Sequence, residues 1–335
     1  MNLNRRKFLE NSSMLLSASA VGAAAAPAEQ PRMPGRKYRF TTLLATLAKP
    51  VCRRISLPLC LPVKRLGQNM KIPLGGWGVS LNDTLSHFRW TGSWKAIVFE
   101  RLVQGSRPIF VDVGANIGQT LLEIFATHPD ARYVGFEPIP PCVSYLASMI
   151  QANKWETATI LASALAAEEG VISLYRHSGS ITDSCATVYE DLRPGRKFDS
   201  NWVPSLRFDT VREKLNLNHI DLVKIDVEGA ELEVIKGMEH TLNSIRPIIL
   251  CEVLFSASAA TILTSTRRNE ELMQRLTMSR YTVWQLLKSA DLKGLQSIRP
   301  VAEFPRGCWT PATAELCDYL FLPKERDQQL VRCLC

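Results

Sequence analysis

The stretch that most constrains the fold is "FVDVGANIGQT", residues 110–120. An apolar run ends at Asp112, a short loop carries Gly114 and Gly118, and a helical pattern of apolar residues follows. Glycines at such a junction permit a tight turn and let a ligand approach the backbone closely. The stretch therefore predicts a strand, a ligand-binding loop and a helix, in that order.

Strand and helix patterns alternate through the rest of the chain. We predict strands at 109–113, 131–137, 158–163, 221–228, 246–254, 281–287 and 318–323. Helices are predicted at 84–103, 117–127, 141–153, 230–242 and 268–279. This alternation favours an α/β fold with an open, mostly parallel sheet and helices on both faces.

Two further segments lie between the third and fourth of these strands. Residues 170–176 have the pattern of an added strand in a hairpin. Residues 177–205 are polar and irregular, which predicts a long loop that covers a substrate. His177 opens this stretch and is a secondary candidate for a base.

Positive charge is concentrated near the N-terminus. The formal net charge is +8, yet no acidic residue lies between Glu29 and Asp83, where ten lysines and arginines fall. The remainder is close to neutral, so we predict no nucleic-acid partner. No internal apolar run reaches the roughly 18 residues that a membrane span needs.

The N-terminal segment has the pattern of an export signal. Arg5 and Arg6 precede an apolar stretch rich in serine and alanine, so residues 1–27 resemble a bacterial twin-arginine signal. The alternatives are that this export signal is not used or that the translation start is placed too early in the sequence. Residues 28–80 mix prolines with basic residues and predict a linker, which leaves 81–335 for the folded domain.

The glycine loop and the acidic residues near it restrict the class of ligand that can bind. No Gly-Lys-Ser/Thr follows the loop, which excludes a phosphate-binding P-loop. A dinucleotide fingerprint needs G-x-G-x-x-G, whereas Asn116 and Gln119 stand at its third and sixth positions. Asp112 would repel a pyrophosphate but suits an ammonium group, such as the methionine end of S-adenosylmethionine. Glu137, 23 residues after Gly114, is placed to accept both ribose hydroxyls.

Five segments in this order carry a family resemblance: "FVDVGANIGQT" (110–120), "GFEP" (135–138), "SLRFDTV" (205–211), "LVKIDVEGAELEVIKG" (222–237) and "RPIILCEV" (246–253). Together they resemble the FkbM family of S-adenosylmethionine-dependent methyltransferases, with a family core at about 109–255. The resemblance implies a Rossmann-like class I methyltransferase fold, S-adenosyl-L-methionine as cofactor and, typically, O-methylation of a sugar or secondary metabolite. By position it implies that Asp112, Gly114, Asn116, Gly118 and Glu137 bind the cofactor and that Ser163 and Ala164 border its adenine.

The acceptor side of the site is predicted at the end of the 221–228 strand. Alternation along a regular strand places Lys224, Asp226 and Glu228 on one side. We predict that Asp226 positions the acceptor or acts as general base, with Glu228 assisting and no metal. A divalent ion held by Asp226, Glu228 and Glu252 is the alternative. Glu228 and Glu231 also suit a helix N-terminus.

Three functions remain to be separated. The first is an O-methyltransferase acting on a small-molecule or glycan acceptor. The others are an exported, non-catalytic Rossmann-like module and, less favoured, an NAD-type oxidoreductase. Because the cofactor is made in the cytoplasm, the enzyme hypothesis favours a cytoplasmic location, against the resemblance of residues 1–27 to an export signal.

Overall fold

The computed structural model describes residues 60–76, 79–80, 84, 93–193, 195–289, 294–310 and 313–334. The predicted export signal, the linker up to residue 59 and most of residues 84–92 lie outside this range. Among the described residues, no helix is both long and apolar enough to cross a membrane.

The described residues contain thirteen strands and eight helices. The strands are β1 (Cys60–Arg65), β2 (Gln68–Pro73), β3 (Ile109–Val113), β4 (Arg132–Phe136), β5 (Ala158–Leu161), β6 (Ala164–Leu165), β7 (Gly170–His177), β8 (Phe198–Leu206), β9 (Leu222–Ile225), β10 (Ile248–Glu252), β11 (Tyr281–Lys288), β12 (Leu295–Pro300) and β13 (Asp318–Pro323). The helices are α1 (Ser93–Leu102), α2 (Gln119–Thr127), α3 (Pro140–Asn153), α4 (Phe208–Lys214), α5 (Glu231–Gly237), α6 (Glu239–Ser244), α7 (Ile262–Met278) and α8 (Asp327–Leu334).

The main sheet has eight strands in the order β12-β11-β13-β10-β9-β3-β4-β5. Strands β10, β9, β3, β4 and β5 are parallel to one another, and β13 runs antiparallel to both β10 and β11. β11 therefore points the same way as the parallel strands. The predicted open, mostly parallel α/β sheet is confirmed.

Side-chain alternation along the central strands builds a core on each face of the sheet. In β3, Phe110 packs on the face covered by α1, α2 and α3, whereas Val111 packs on the face covered by α4, α5 and α7. In β9, Leu222 and Val223 divide in the same way. Because both faces are covered, these strands are apolar on both sides, as parallel strands usually are.

Strand order changes direction between β3 and β9, since the chain leaves β3 toward β4 on one side and returns to β9 on the other. A crevice opens beyond the carboxyl ends of the strands at such a switch point. We call the ends of β3, β4 and β5 the cofactor side and the ends of β9 and β10 the acceptor side, after the roles that the sequence predicts for their residues.

The structure corrects two predicted irregular segments. Residues 60–73, predicted as linker, form the antiparallel hairpin β1–β2, which is tied to α3 through the backbone of Lys71 and the side chain of Asn153. Residues 198–205, predicted as loop, lie in β8 and pair with all eight residues of β7, and β8 also pairs with β6. The part of the predicted loop outside β7 and β8 is therefore residues 178–197, which include a 3-10 helix at Glu190–Leu192.

Smaller differences concern the ends of elements. The predicted helix at 230–242 is divided into α5 and α6. The predicted helix at 268–279 begins earlier, at Ile262, and the predicted strand 158–163 ends at Leu161. β12 and α8 had no sequence prediction.

Candidate active site

The glycine loop after β3 turns tightly beneath the crevice. Gly114 and Gly118 have φ angles of +81° and +91°, which favour glycine, and the amides of Gly114 and Ala115 donate to the Phe136 carbonyl at the end of β4. A Cβ on Gly114 would lie 2.0 Å from the Asp226 carbonyl oxygen. The cofactor loop is therefore pressed directly against the end of β9.

Glu137 follows β4 and is held by backbone amides. Its two carboxylate oxygens accept hydrogen bonds from Asn116 N at 2.7 Å and Ile139 N at 2.8 Å. The side chain is buried, and burial raises the pKa of Glu137 to about 7 despite those two bonds. Each oxygen keeps lone-pair capacity, so the predicted role of Glu137 as acceptor for ribose hydroxyls fits this geometry.

Asp112 is enclosed rather than open to the crevice. Its side chain is fully buried, accepts a hydrogen bond from Tyr133 Oη at 2.6 Å and lies 3.2 Å from Lys224 Nζ. Tyr133 thus occupies one oxygen of the carboxylate that the sequence assigned to the cofactor ammonium, and the other oxygen faces Lys224 without a hydrogen bond. Direct contact between Asp112 and the cofactor stays a prediction.

Ser163 and Ala164 lie just beyond β5, beside the end of β4. The amide of Glu137 donates to Leu161 O, which brings the two strand ends together, and Ala164 begins β6 opposite Ser205. Ser163 is buried, and its Oγ has no hydrogen-bond partner within the described structure. A buried hydroxyl without a partner is costly, which is consistent with a ligand-facing role.

The three acceptor-side carboxylates come together as predicted from their strand ends. Carboxylate oxygens of Asp226, Glu228 and Glu252 all lie within 4.8 Å of one another. Asp226 is the most open, with 27% of its side chain exposed. Burial and the neighbouring Glu252 raise the pKa of Asp226 to about 7, although Lys224 opposes this. Such a carboxylate gains and loses a proton near neutral pH.

Glu228 is fixed by a residue of the long loop. Arg193 donates to Glu228 Oε2 at 2.6 Å and to the Cys185 carbonyl at 2.6 Å. Glu228 itself has a left-handed φ of +53°, and the next residue, Gly229, packs against Leu192. Glu228 is therefore held by Arg193 of the long loop, which is consistent with the assisting role predicted for it.

Glu231 lies at the N-terminus of a helix, one of the positions that the sequence analysis considered for it. It is the first residue of α5, and its carboxylate accepts a hydrogen bond from Gly229 N at 2.9 Å. A bond of this kind satisfies a backbone donor at a helix start. Burial raises the pKa of Glu231 to about 8.

His177 is engaged within its own loop. Arg196 lies 3.0 Å from Nε2, and because arginine only donates, Nε2 accepts. Nδ1 then carries the proton and donates to Asp183 at 2.8 Å. This pairing orders the start of the loop and leaves Asp226 as the better candidate base.

Two functional residues were missed by the sequence analysis. Lys224 was placed beside Asp226 without a role, and Arg193 was not singled out. A lysine inside the otherwise apolar strand "LVKI" was the available signal, since a buried ammonium needs a carboxylate partner. Arg193 offered no comparable signal, because its partner Glu228 lies 35 residues away.

These residues fit S-adenosylmethionine as a group. The glycine loop offers close backbone approach, Glu137 offers acceptors for ribose, and Ser163 offers an unused donor beside them. Asp226 follows β9, and its backbone carbonyl abuts the glycine loop at Gly114. In contrast to a dinucleotide site, the loop has a buried acid behind its first glycine.

Comparison with known proteins agrees with this assignment. The profile of the methyltransferase FkbM domain matches residues 112–281, about half of the chain. Methyltransferase sdnD of Sordaria araneosa is 29% identical over 160 residues, which is 40% of this chain and 62% of that protein. AMB antimetabolite synthetase AmbE of Pseudomonas aeruginosa is 27% identical over 286 residues, which is 75% of this chain and 13% of that protein.

The chain thus spans less than two thirds of the length of these two relatives. Among solved structures, methyltransferase FkbM from Methylobacillus flagellatus KT is 15% identical, with a TM-score of 0.39 over 74% of this chain and 55% of that one. The matched profile includes both the glycine loop and the carboxylates at the ends of β9 and β10. The protein belongs to the FkbM family of methyltransferases, whose cofactor is S-adenosylmethionine.

Proposed function

We propose that this protein transfers a methyl group from S-adenosylmethionine to a hydroxyl group of a small-molecule or glycan acceptor. The observation that carries the proposal is Asp226: a partly exposed carboxylate, beside the cofactor loop, with a pKa raised to about 7. The similarity to a protein named as an antimetabolite synthetase is consistent with a small-molecule acceptor.

The residues of the chain would supply positioning and proton transfer. S-adenosylmethionine provides a methyl group already activated on a sulfonium. Asp226, when ionised, accepts a hydrogen bond from the acceptor hydroxyl and holds its oxygen in line. It takes the proton as the oxygen gains the methyl group, and a pKa of about 7 makes it a stronger base than an ordinary carboxylate.

The first test is ligand binding by the full-length chain. Calorimetry with S-adenosylhomocysteine and, in parallel, NAD separates the three candidate functions. Binding of S-adenosylhomocysteine alone is the expected result, and binding of NAD alone would favour an oxidoreductase. A folded protein that binds neither would favour the non-catalytic module.

The acceptor class can be tested with labelled cofactor. The full chain is incubated with methyl-labelled S-adenosylmethionine and panels of sugars, polyhydroxylated metabolites and matched amines. We expect label in an alkali-stable ether of a hydroxylated compound. Transfer to amines alone would contradict the hydroxyl assignment while leaving the methyltransferase intact.

A metal-free mechanism is favoured by the charge balance. Lys224 Nζ lies 3.6 Å from Asp226, and Arg193 donates to Glu228, so two of the three clustered carboxylates already face a cation. We predict that transfer survives dialysis against EDTA. Loss of activity that magnesium or manganese restores would show that Asp226, Glu228 and Glu252 hold an ion.

A further inference from the structure

Lys224 is a buried lysine in the centre of the main sheet. Its side chain is 6% exposed and lies between two carboxylates. Burying an ammonium costs several kcal/mol unless it is paired and hydrogen-bonded. Burial alone would lower the pKa of Lys224, but Asp112 and Asp226 raise it above its ordinary value, so the lysine stays charged.

Oxygen atoms of three segments lie within 4 Å of this ammonium, one as a hydrogen-bond acceptor and two as ion-pair partners. Nζ donates to the Gly114 carbonyl at 2.9 Å and lies 3.2 Å from Asp112 and 3.6 Å from Asp226. These groups come from the glycine loop, the strand before it and the acceptor-side strand end. One side chain therefore connects the loop that binds the cofactor with the carboxylate that faces the acceptor.

Asp112 is arranged to support this connection. One of its carboxylate oxygens is taken by Tyr133 Oη at 2.6 Å, and the other faces Lys224. The side chain is fully buried, and the oxygen that faces Lys224 forms an ion pair without a hydrogen bond. The Lys224 ammonium connects Asp112 with the loop, through its ion pair with Asp112 and its hydrogen bond to Gly114 O.

We infer that Lys224 is the positioning residue of the cofactor loop, and that Asp112 acts on the cofactor through Lys224 rather than by direct contact. Asp112 keeps the ammonium in place, and the ammonium fixes the Gly114 carbonyl. The loop then presents its backbone to the cofactor in one conformation. This inference rests on the proposed function only in taking S-adenosylmethionine as the ligand of the loop.

A double-mutant cycle on the full-length chain tests the inference. S-adenosylhomocysteine affinity is measured by calorimetry for the wild type, Asp112→Asn, Lys224→Met and the double variant, with Tm measured for each. We expect Lys224→Met to weaken binding by about 5–150-fold, the usual range for coupled groups. The double variant should bind no worse than Lys224→Met alone, because Asp112 has nothing left to act through.

The double-mutant cycle also distinguishes a loss of affinity from a loss of folding. Lys224→Met leaves Asp112 buried without its cation, which is strongly destabilising, whereas the double variant removes both charges together. Lys224→Arg keeps the charge and should recover part of the affinity. Lys288→Met is the matched control: Lys288 is equally buried and ion-paired to Asp318 at the same sheet edge, and its loss should lower Tm without changing affinity.

Three results would overturn the inference. One is a folded Lys224→Met variant that binds as the wild type does. Another is an additive effect of Asp112→Asn in the Lys224→Met background, which would show direct contact of Asp112 with the cofactor. The third is an equal loss of affinity in Lys288→Met. A wild type that does not bind S-adenosylhomocysteine would instead contradict the proposed function.

Discussion

The two sides of the crevice hold their carboxylates in different ways. On the cofactor side, Glu137 is fixed by two backbone amides and Asp112 is completely enclosed. On the acceptor side, Asp226 is partly exposed and faces charged side chains, Glu252 and Lys224. Burial raises the pKa of both Glu137 and Asp226 to about 7, but two backbone bonds hold Glu137 in one orientation, whereas Asp226 is partly exposed. The first arrangement suits binding, and the second suits chemistry.

The largest effect is expected where the two sides are in contact, between the glycine loop and the end of β9. Gly114→Ala would place a Cβ 2.0 Å from the Asp226 carbonyl oxygen, at a φ of +81°. Since the Cβ is fixed to the loop backbone and the oxygen belongs to the backbone of β9's end, neither can rotate away; the loop must move, and we expect S-adenosylhomocysteine binding to be abolished. Calorimetry on the folded variant checks this.

Gly105→Ala is the matched control for that prediction. Gly105 has a similar φ of +104°, but a Cβ there would meet no atom within 4 Å. It therefore shares the backbone strain of about 1–2 kcal/mol without the collision. If both variants lose binding equally, strain and not the contact with β9 is responsible.

A second prediction separates binding from chemistry. Asp226→Asn keeps the shape of the side chain but removes the base, so we expect methyl transfer to fall by about 10²–10⁴-fold. Affinity for S-adenosylhomocysteine should stay within a few-fold of the wild type. Glu137→Gln is the opposite case, with weakened cofactor affinity. A comparable loss of affinity in both variants would contradict the division between the two sides.

The sequence predicted the central part of the fold well because its signals are local. The bounds of β3 and β13 agree with the predicted 109–113 and 318–323, where apolar runs end in clear turn or charge signals. The glycine loop and the clustering of Asp226 with Glu252 followed from strand ends at one sheet edge.

The missed elements depend on partners distant in sequence. β8 has four exposed residues in a row, Asp199–Trp202, and a proline at 204, so its sequence shows no regular strand alternation and its pairing with β7 stabilises it. The β1–β2 hairpin is likewise fixed by α3, about 80 residues later. The pairs Lys224–Asp112 and Arg193–Glu228 could not be read from spacing, because tertiary packing alone brings them together.

The ionisation of Asp226 should determine how the rate of methyl transfer depends on pH. Burial and Glu252 raise the pKa of Asp226 to about 7, with Glu228 adding to the rise and Lys224 and Lys95 opposing it. Asp226 is the active base only when ionised, so the rate should fall about tenfold for each pH unit below 7. The residual rate of Asp226→Asn should not show this fall below pH 7. If the fall persists in the variant, another titrating group is responsible for it.

The smallest expected effect lies on the cofactor side, at Ser163. Its Oγ is buried and has no hydrogen-bond partner among the described residues, so Ser163→Ala should leave the Tm of the free protein unchanged or slightly higher. If the hydroxyl bonds the cofactor, affinity for S-adenosylhomocysteine should fall roughly two- to tenfold, the range of one net hydrogen bond.

Ser205→Ala is the matched control, because Ser205 is equally buried but donates to Glu168 O at 3.1 Å. It should lose stability and keep its affinity. The reverse pattern, with Ser163→Ala destabilised and binding unchanged, would assign Ser163 to the fold and leave Glu137 as the chief polar contact on that side.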